Sequence, residues 1–245
     1  MVNSNIIQII DANFGYTKHD KVIIKNCNLS IPTNNLIGLI GINGSGKSTF
    51  LKTLSGFLPL ISGDILFKNK SIYNYSIQDL SNLISITLTE KISGFNLTCY
   101  DAIASGLLKE SNLFGNLNEE QKEKINSIIK NLNLVEVKDL LLNELSDGMY
   151  QKTMIAKSVV QNTPIMLLDE PTAFLDFSSK HELFKNLSKI ATESNKCIIV
   201  STHELDFVLK YCSLVIILAN NTLNSVPANQ VLNHKDFIQL TGGFL

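Results

Sequence analysis

Residues 41–48 read Gly-Ile-Asn-Gly-Ser-Gly-Lys-Ser and match the phosphate-binding pattern GxxxxGK[ST]. The glycines allow successive backbone N–H groups to turn towards phosphate oxygens, and a helix starting here would add partial positive charge. Lys47 is long enough to reach β- and γ-phosphates, and the Ser48 hydroxyl is a suitable Mg²⁺ ligand. The pattern therefore predicts a site for a nucleoside triphosphate, formed by the following residues: Gly41, Asn43, Gly44, Ser45, Gly46, Lys47, Ser48 and Thr49.

Two carboxylates, Asp169 and Glu170, follow the apolar run at residues 165–168. Ligands of parallel sheets bind beyond the carboxyl ends of the strands, so we expect both acids near the phosphate loop. Asp169 is predicted to hold Mg²⁺ through its water shell. Glu170 is predicted to orient and deprotonate the water that attacks the γ-phosphate. An acidic pair at a strand end is common at solvated sheet edges, and the phosphate loop is what favours the catalytic interpretation.

Short apolar runs alternate along the chain with segments in which apolar residues recur at helical spacing. This pattern indicates the strands and helices that position these residues. Buried strands are predicted at residues 36–40, 165–168, 197–200 and 214–218, because parallel strands are apolar on both faces. Helices are predicted at residues 49–55, from Ser178 and from His203, where apolar residues recur with helical spacing. This alternation predicts an α/β fold with a mainly parallel sheet and right-handed crossovers.

The middle of the chain differs, because residues 90–162 contain mostly helical patterns. Asn118 precedes two glutamates and is predicted to cap a helix with an acidic first turn. An apolar stripe follows along that helix: Ile125, Ile128, Ile129 and Leu132. We predict one domain in which a helical subdomain at 90–162 is inserted into a nucleotide-binding core at 1–89 and 163–245.

Bulk composition excludes several classes of function. The chain has 245 residues, of which 44% are apolar, and a formal net charge of −1, which gives no electrostatic reason to bind nucleic acid or an anionic membrane. No apolar run approaches the ~20 residues of a membrane helix, so any membrane-spanning part is expected in another chain. The four cysteines form no CxxC pair, which favours reduced thiols. No basic segment followed by an apolar stretch marks the N-terminus, so no secretory signal is predicted.

Four further segments resemble motifs of the ATP-binding cassette (ABC) ATPases. Residues 145–149, Leu-Ser-Asp-Gly-Met, resemble the LSGGQ signature, and residues 171–176, Pro-Thr-Ala-Phe-Leu-Asp, resemble the D-loop. His203 stands at the position of the family's switch histidine, and Tyr16 where the family stacks an aromatic ring on adenine. The motifs follow the family's order along essentially the whole chain. The resemblance implies a P-loop NTPase core with an N-terminal antiparallel β subdomain and an inserted α-helical subdomain.

The resemblance also implies a mechanism in which two identical cassettes pair head to tail with two ATP molecules between them. The Ser146 hydroxyl and the Gly148 N–H would contact the γ-phosphate bound to the partner's phosphate loop. His203 would hydrogen-bond the γ-phosphate, and Asp176 would act in the D-loop, although it could also simply cap the following helix. All 21 basic residues are lysines, so no arginine finger exists. The developing charge would be met by Lys47, His203, Mg²⁺ and backbone dipoles.

Two motifs depart from the family's pattern. The family has a glutamine at the end of the strand that leads into the helical subdomain, where it touches Mg²⁺ and the attacking water, and the loop contacts the transporter. Here we align Thr89 with it as a candidate Mg²⁺ ligand, and Glu90 is the alternative. In the signature, Asp147 replaces a glycine and Met149 a glutamine. We expect the Asp147 carboxylate to face away from a bound triphosphate, which would repel it.

The combination of motifs is similar to the cassettes of bacterial importers for iron–siderophore complexes, heme or cobalamin. That similarity implies integral membrane permease subunits, a periplasmic or lipoprotein substrate-binding protein, no nucleic acid, and a peripheral position on the cytoplasmic face of the membrane. Three alternatives stay open: a nucleotide-gated switch that barely hydrolyses ATP, a cassette protein acting on DNA or ribosomes, and the cassette of an exporter or another importer.

Overall fold

The computed structural model describes residues 5–16, 21–90, 96–107 and 117–242. The strands in these ranges are β1 (Asn5–Tyr16), β2 (Lys21–Pro32), β3 (Asn35–Gly41), β4 (Ser62–Phe67), β5 (Lys70–Ser71), β6 (Ile84–Thr87), β7 (Ile165–Asp169), β8 (Cys197–Ser201), β9 (Leu214–Ala219) and β10 (Thr222–Pro227). The helices are α1 (Lys47–Leu54), α2 (Ile77–Leu83), α3 (Cys99–Ala104), α4 (Glu119–Asn131), α5 (Asp147–Val160), α6 (Phe177–Glu193), α7 (Leu205–Tyr211) and α8 (Lys235–Thr241). None of these helices is long and apolar enough to cross a membrane.

A six-stranded sheet in the order β10-β9-β3-β8-β7-β6 forms the centre of the fold. Its strands run parallel except for β10, which pairs antiparallel with β9. Every residue of β7 and β8 is buried, as strands covered on both faces require. The four strands predicted from apolar runs are confirmed, each one or two residues longer than expected.

A second, four-stranded sheet in the order β2-β1-β4-β5 is antiparallel throughout and lies in the N-terminal part of the chain. It confirms the expected antiparallel β subdomain. Together the two sheets confirm the α/β fold class with a mainly parallel core.

The predicted helices are present with shifted starts. Helix α1 begins two residues earlier than expected, directly after Gly46, whose φ of 115° stands outside the helical region. Helix α7 begins two residues later than expected, because the Glu204 backbone N–H donates to the Thr202 side-chain oxygen and keeps residues 203–204 in a turn. This turn carries the predicted switch histidine.

Two apolar cores cover the faces of the central sheet. On β3, Ile37 and Leu39 point into the core shared with the antiparallel sheet and α1, whereas Leu36 and Ile40 point into the core formed with α6, α7 and α8. This alternation follows from the two-residue period of a strand. The sheet is thereby packed on both faces, and the ends of its strands position the side chains that follow them.

A third core joins α3, α4 and α5 within the stretch predicted as the helical subdomain. Asn118 caps α4 as predicted, with its side chain accepting from the Gln121 N–H at 2.8 Å. In the described part of 90–162 the regular elements are helices and short 3₁₀ turns, with one isolated bridge between Thr98 and Leu141. The division into a core and an inserted subdomain stays a prediction.

Candidate nucleotide site

The loop between β3 and α1 has a backbone that only glycine adopts without strain at two points. Gly44 has φ +74° and Gly46 has φ +115°. A Cβ on Gly46 would lie 2.5 Å from Ile23 Cγ2, so the loop packs directly on β2. The Phe50 N–H then donates to the Gly46 carbonyl at 2.9 Å, which starts α1 with its free N–H groups facing the loop.

The side chains of this loop fit a phosphate group. Ser45 Oγ is buried and has no hydrogen-bond partner among the described residues. The Lys47 side chain is 7% exposed, and its Nζ donates to the Gly41 carbonyl at 2.9 Å. Ser48 lies exposed in the first turn of α1, where the helix terminus favours negative charge. An anion with several acceptor oxygens would satisfy donors that the protein leaves available here.

Three charged or titratable side chains from distant parts of the sequence meet beside the loop. Glu170 Oε1 lies 2.9 Å from His203 Nε2 and 3.8 Å from Lys47 Nζ. Lys47 Nζ lies 3.4 Å from His203 Nε2. Burial raises the pKa of Glu170, against the opposing charges of His203 and Lys47, and burial also lowers the pKa of Lys47. A carboxylate with a raised pKa is better suited to accept a proton near neutral pH.

The Glu170 backbone is held in an unusual conformation, with φ 46°. Left-handed backbone at a non-glycine residue costs on the order of 1 kcal/mol and persists where its surroundings enforce it. Here the Glu170 N–H donates to both the Ser201 carbonyl at 3.1 Å and the Ser201 hydroxyl at 3.0 Å. These bonds turn the chain sharply after β7 and direct the Glu170 side chain towards Lys47.

Ser201, at the end of β8, is a site residue to which sequence reasoning assigned no role. Its buried hydroxyl donates to Asp169 Oδ1 at 2.5 Å while accepting from the Glu170 N–H. The parallel pairing of β7 with β8 places Asp169 directly beside Ser201. The signal available in the sequence was a hydroxyl residue that ends an apolar strand two positions before the predicted switch histidine.

The two candidates for the family's glutamine have different surroundings. The Thr89 hydroxyl donates to the Asp169 backbone carbonyl at 3.1 Å, which places Thr89 at the acidic strand end. Glu90 Oε1 instead accepts from Lys52 Nζ at 3.0 Å, on the last turn of α1. Of the two, Thr89 is the one whose side chain contacts a predicted Mg²⁺ residue, through the backbone carbonyl of Asp169.

Tyr16 stands at the end of β1 with 42% of its surface exposed. Its hydroxyl lies 3.3 Å from Thr49 Oγ1, on the first turn of α1. The ring is therefore held beside the phosphate loop with a surface left accessible to a planar ligand.

The signature residues begin α5 and face the D-loop. The Ser146 hydroxyl oxygen accepts from the Met149 N–H at 3.3 Å and caps the helix. A Cβ on Gly148 would lie 2.8 Å from the Phe174 carbonyl oxygen, so glycine allows α5 and the D-loop to approach closely. Asp147 is exposed in the first turn of this helix.

Asp176 caps α6, the role that was considered for it beside a function in the D-loop. Its Oδ1 accepts from the Ser179 N–H at 2.7 Å, and this backbone hydrogen bond lowers the pKa of the carboxyl. The cap fixes the D-loop against the start of α6.

The predicted residues thus form two groups within one chain. Lys47, Asp169, Glu170 and His203 surround the phosphate loop, and Thr89 contacts Asp169. Within the described residues, the contacts of Ser146 and Gly148 are with α5 and the D-loop and not with the phosphate loop. A second copy is the arrangement that could complete one site from both groups.

The fold and this site define an ATP-binding cassette ATPase. Residues 24–173 match the family model described as ABC transporter. The chain belongs to this family, whose cassettes bind ATP and couple its hydrolysis to transport.

Proteins that are similar to this chain along most of its length are also ATP-binding proteins of transporters. An uncharacterized ABC transporter ATP-binding protein of Methanocaldococcus jannaschii is 34% identical over 86% of this chain and 72% of that protein. The iron(3+)-hydroxamate import ATP-binding protein FhuC of Bacillus subtilis is 30% identical over 83% of this chain and 76% of that protein. The structure of CbiO1 from Clostridium perfringens, part of the ABC transporter complex CbiONQ, is 28% identical with a TM-score of 0.78 over 98% of this chain and 96% of that one.

Proposed function

We propose that this ATPase subunit powers the import of an iron–siderophore, heme or cobalamin-type substrate, with Glu170 as the general base for ATP hydrolysis. The observation that carries the catalytic part is the meeting of Glu170, His203 and Lys47 within 2.9–3.8 Å beside the phosphate loop. The similarity to FhuC, which is named for iron(3+)-hydroxamate import, supports the class of substrate.

Each residue of the cluster has a distinct role in this proposal. Lys47 releases the Gly41 carbonyl and binds the β- and γ-phosphates, and His203 hydrogen-bonds the γ-phosphate. Glu170 takes a proton from the attacking water, which its raised pKa favours. The arrangement needs no arginine, in agreement with a sequence that contains only lysine among its 21 basic residues.

Ser48, Asp169 and Thr89 are the residues proposed to hold Mg²⁺, because all three present oxygen atoms, the donors that this ion prefers. When bound, Mg²⁺ neutralises charge on the β- and γ-phosphate oxygens. Ser201 keeps the Asp169 carboxylate in place through its hydrogen bond to Oδ1.

The nucleotide itself is bound by the phosphate loop and by Tyr16. The N–H groups between Gly41 and Thr49 hold the phosphates, and the half-exposed Tyr16 ring stacks on the adenine. Its hydroxyl contact with Thr49 keeps the ring in reach of the loop.

A second identical cassette is the proposed partner at the nucleotide. Three apolar side chains around the site are exposed in the single chain: Ile42, Phe174 and Phe177. Exposed apolar residues around a functional site favour an interface. In the pair, Ser146 and Gly148 of one copy contact the γ-phosphate on the phosphate loop of the other, and Asp176 holds the D-loop between them.

The permease is proposed to dock in a cleft of about 250 Å³ between β6 and α5, here called the docking cleft. Phe57 is exposed at its edge, and Leu88 and Met154 line it. Glu90 also lines it, directly after Thr89, whose hydroxyl reaches the Asp169 backbone. Binding there would connect the membrane partner to the metal site and hold the cassette peripherally on the cytoplasmic face of the membrane.

The test is reconstitution of the chain with a permease and a periplasmic or lipoprotein binding protein. We expect ATP-dependent uptake of a ferric siderophore, heme or cobalamin, and its loss in Glu170→Gln. Uptake that persists in this variant would contradict the catalytic assignment, and outward transport would contradict the direction.

Thr89 in place of glutamine favours a second candidate function, a nucleotide-gated switch. Such a chain would bind ATP and pair with its copy but show near-zero turnover in the complete transporter. Measured ATPase activity in that complex separates the two functions.

A further inference from the structure

A cavity of about 530 Å³ lies at the amino ends of the central strands, opposite the nucleotide site. It is lined by the residues that precede or begin several strands, together with the turn between β4 and β5: Asn5, Ile6, Thr33, Lys68, Asn69, Asn162, Pro164, Ser194, Asn195 and Lys196. Lys196 directly precedes β8, and Ser201 is the last residue of that strand. The two residues are therefore roughly 16 Å apart, the length of five residues in a strand. The cavity is therefore distinct from the phosphate loop.

A buried lysine with few partners is among the residues that line this cavity. Lys196 is 5% exposed, and its Nζ donates to the Thr163 carbonyl at 2.6 Å. An ammonium group has three donors, and among the described residues no carboxylate lies within ion-pair distance of this one. Burial, with a smaller contribution from the charge of Lys124, lowers the pKa of Lys196 to about 8. The protein thus holds a cation here with little compensation.

The rim adds donors and no negative side chain. Lys68 contributes a second positive charge, and none of the lining residues is Asp or Glu. Three turns at the rim have left-handed backbone, a conformation that asparagine tolerates. The residues in this conformation are Asn69, Asn162 and Asn195, so these turns carry carboxamide side chains and not aliphatic ones. The carbonyl ends of α5 and α6 lie nearby, but their partial charges are smaller than those of two lysines.

We propose that this cavity binds a small anion with several phosphate or carboxylate oxygens, with the Lys196 ammonium as its main counter-charge and Lys68 at its rim. The anion occupies the two free donors of Lys196 and the carboxamide N–H groups of the turns. Neither the catalytic site nor the docking cleft includes any of these residues.

The test uses inorganic phosphate and citrate as probes, with the phosphate loop of the full chain filled by ADP. Binding is followed at pH 7 through the backbone amide NMR signals of Asn195, Lys196 and Lys68, and at pH 7 and pH 10 by isothermal titration calorimetry. We expect saturable shifts of these signals, and citrate binding that weakens about tenfold or more between pH 7 and pH 10, as Lys196 loses its charge. A flat pH profile, or no saturable shift with either probe, would overturn the proposal. The stronger-binding probe distinguishes a phosphate ligand from a carboxylate ligand.

Variants separate Lys196 from general charge effects. Lys196→Gln should weaken binding about tenfold or more, the usual effect of losing a hydrogen bond to a charged group. Lys185→Gln, at an exposed position of α6 outside the cavity, makes the same charge change and should leave binding unaltered. If Lys196→Gln does not fold, Lys68→Gln at the exposed rim should still weaken binding at least about twofold. Equal affinity in the cavity variants and the Lys185 control would rule out the site.

Discussion

The Ser201 hydroxyl donates a hydrogen bond to Asp169 Oδ1 at 2.5 Å. The same oxygen accepts from the Glu170 N–H, so one buried side chain holds both acids of the site. Because it would contact neither nucleotide nor water in the proposed mechanism, Ser201 is a positioning residue.

Ser201→Ala should lower kcat for ATP about tenfold and change KM for ATP less than about threefold. The reason is the loss of a buried hydrogen bond to a carboxylate, worth about 1.5–3 kcal/mol, which loosens Asp169 and the strained Glu170 backbone together. Ser201→Cys keeps the volume with a weaker donor and should be intermediate. Steady-state ATPase measurements decide, and wild-type kcat in the alanine variant would remove Ser201 from the site.

Glu170→Gln should retain ATP binding and slow hydrolysis by roughly 10²–10⁴-fold, the usual effect of removing a general base. The variant should also accumulate as an ATP-dependent dimer, because the proposed hydrolysis opens the pair. Single-turnover hydrolysis and size-exclusion chromatography with ATP measure the two effects. Wild-type turnover in a clean preparation would contradict the assignment.

The pH dependence of hydrolysis follows from the direction of the Glu170 pKa. The base acts deprotonated, and burial raises its pKa, so the wild-type rate should rise with pH through a range above that of an ordinary glutamate. The residual activity of Glu170→Gln should lack this acidic limb. An identical pH profile in both proteins would assign the titration to another group.

The site illustrates how far the sequence alone leads. Asp169 and Glu170 were predicted at a strand end because an apolar run stops there, and parallel strands present their ends at one edge. The Ser201–Asp169 bond was not predicted, because it depends on the lateral register of β7 and β8, which the chain does not encode locally. The cavity around Lys196 has the same origin, since residues 33, 164 and 196 meet only through strand order.

Gly148 provides a test of the contact between the signature and the D-loop. In Gly148→Ala the new Cβ would stand 2.8 Å from the Phe174 carbonyl, so α5 and the D-loop must move apart. Overpacking of about 1–3 kcal/mol is partly offset by the helix preference of alanine, about 1 kcal/mol. We therefore expect a folded protein whose ATPase activity falls at least about tenfold by displacement of the signature helix.

The matched control for this variant is Asn143→Ala, at an exposed position just before the signature. It should retain both thermal stability and ATPase activity. Full activity in Gly148→Ala would show that the close approach of the two segments does not matter for hydrolysis.

Lys157 tests the docking cleft, and the prediction depends on the proposed permease contact. Its side chain is half-buried in the cleft, burial lowers its pKa, and no carboxylate of the described residues pairs with it. An acidic residue on the permease loop would supply the missing partner. Lys157→Glu should therefore weaken co-purification with the permease and leave ATP binding by the isolated cassette unchanged. Lys185→Glu, at an exposed position of α6 outside the cleft, should leave both co-purification and ATP binding unchanged.

The stability of the protein should depend on pH through Lys196. Its pKa is about 8 in the folded chain against an ordinary 10.5, so below pH 8 both states carry the proton and the full cost of the buried charge is present. Between these values only the unfolded state binds the proton, and the free energy of unfolding rises with pH. The gain reaches at most about 2 kcal/mol at pH 9.5, from about 1.4 kcal/mol per pH unit.

Urea unfolding at pH 7.5 and pH 9.5, in buffer without multivalent anions, measures this gain. Other lysines and tyrosines also titrate at alkaline pH, so the quantity to compare is the difference between wild type and Lys196→Gln. The wild type should gain stability relative to the variant as the pH rises. If the two change in parallel, Lys196 is already compensated in the folded chain, and the cavity loses the uncompensated charge that would attract an anion.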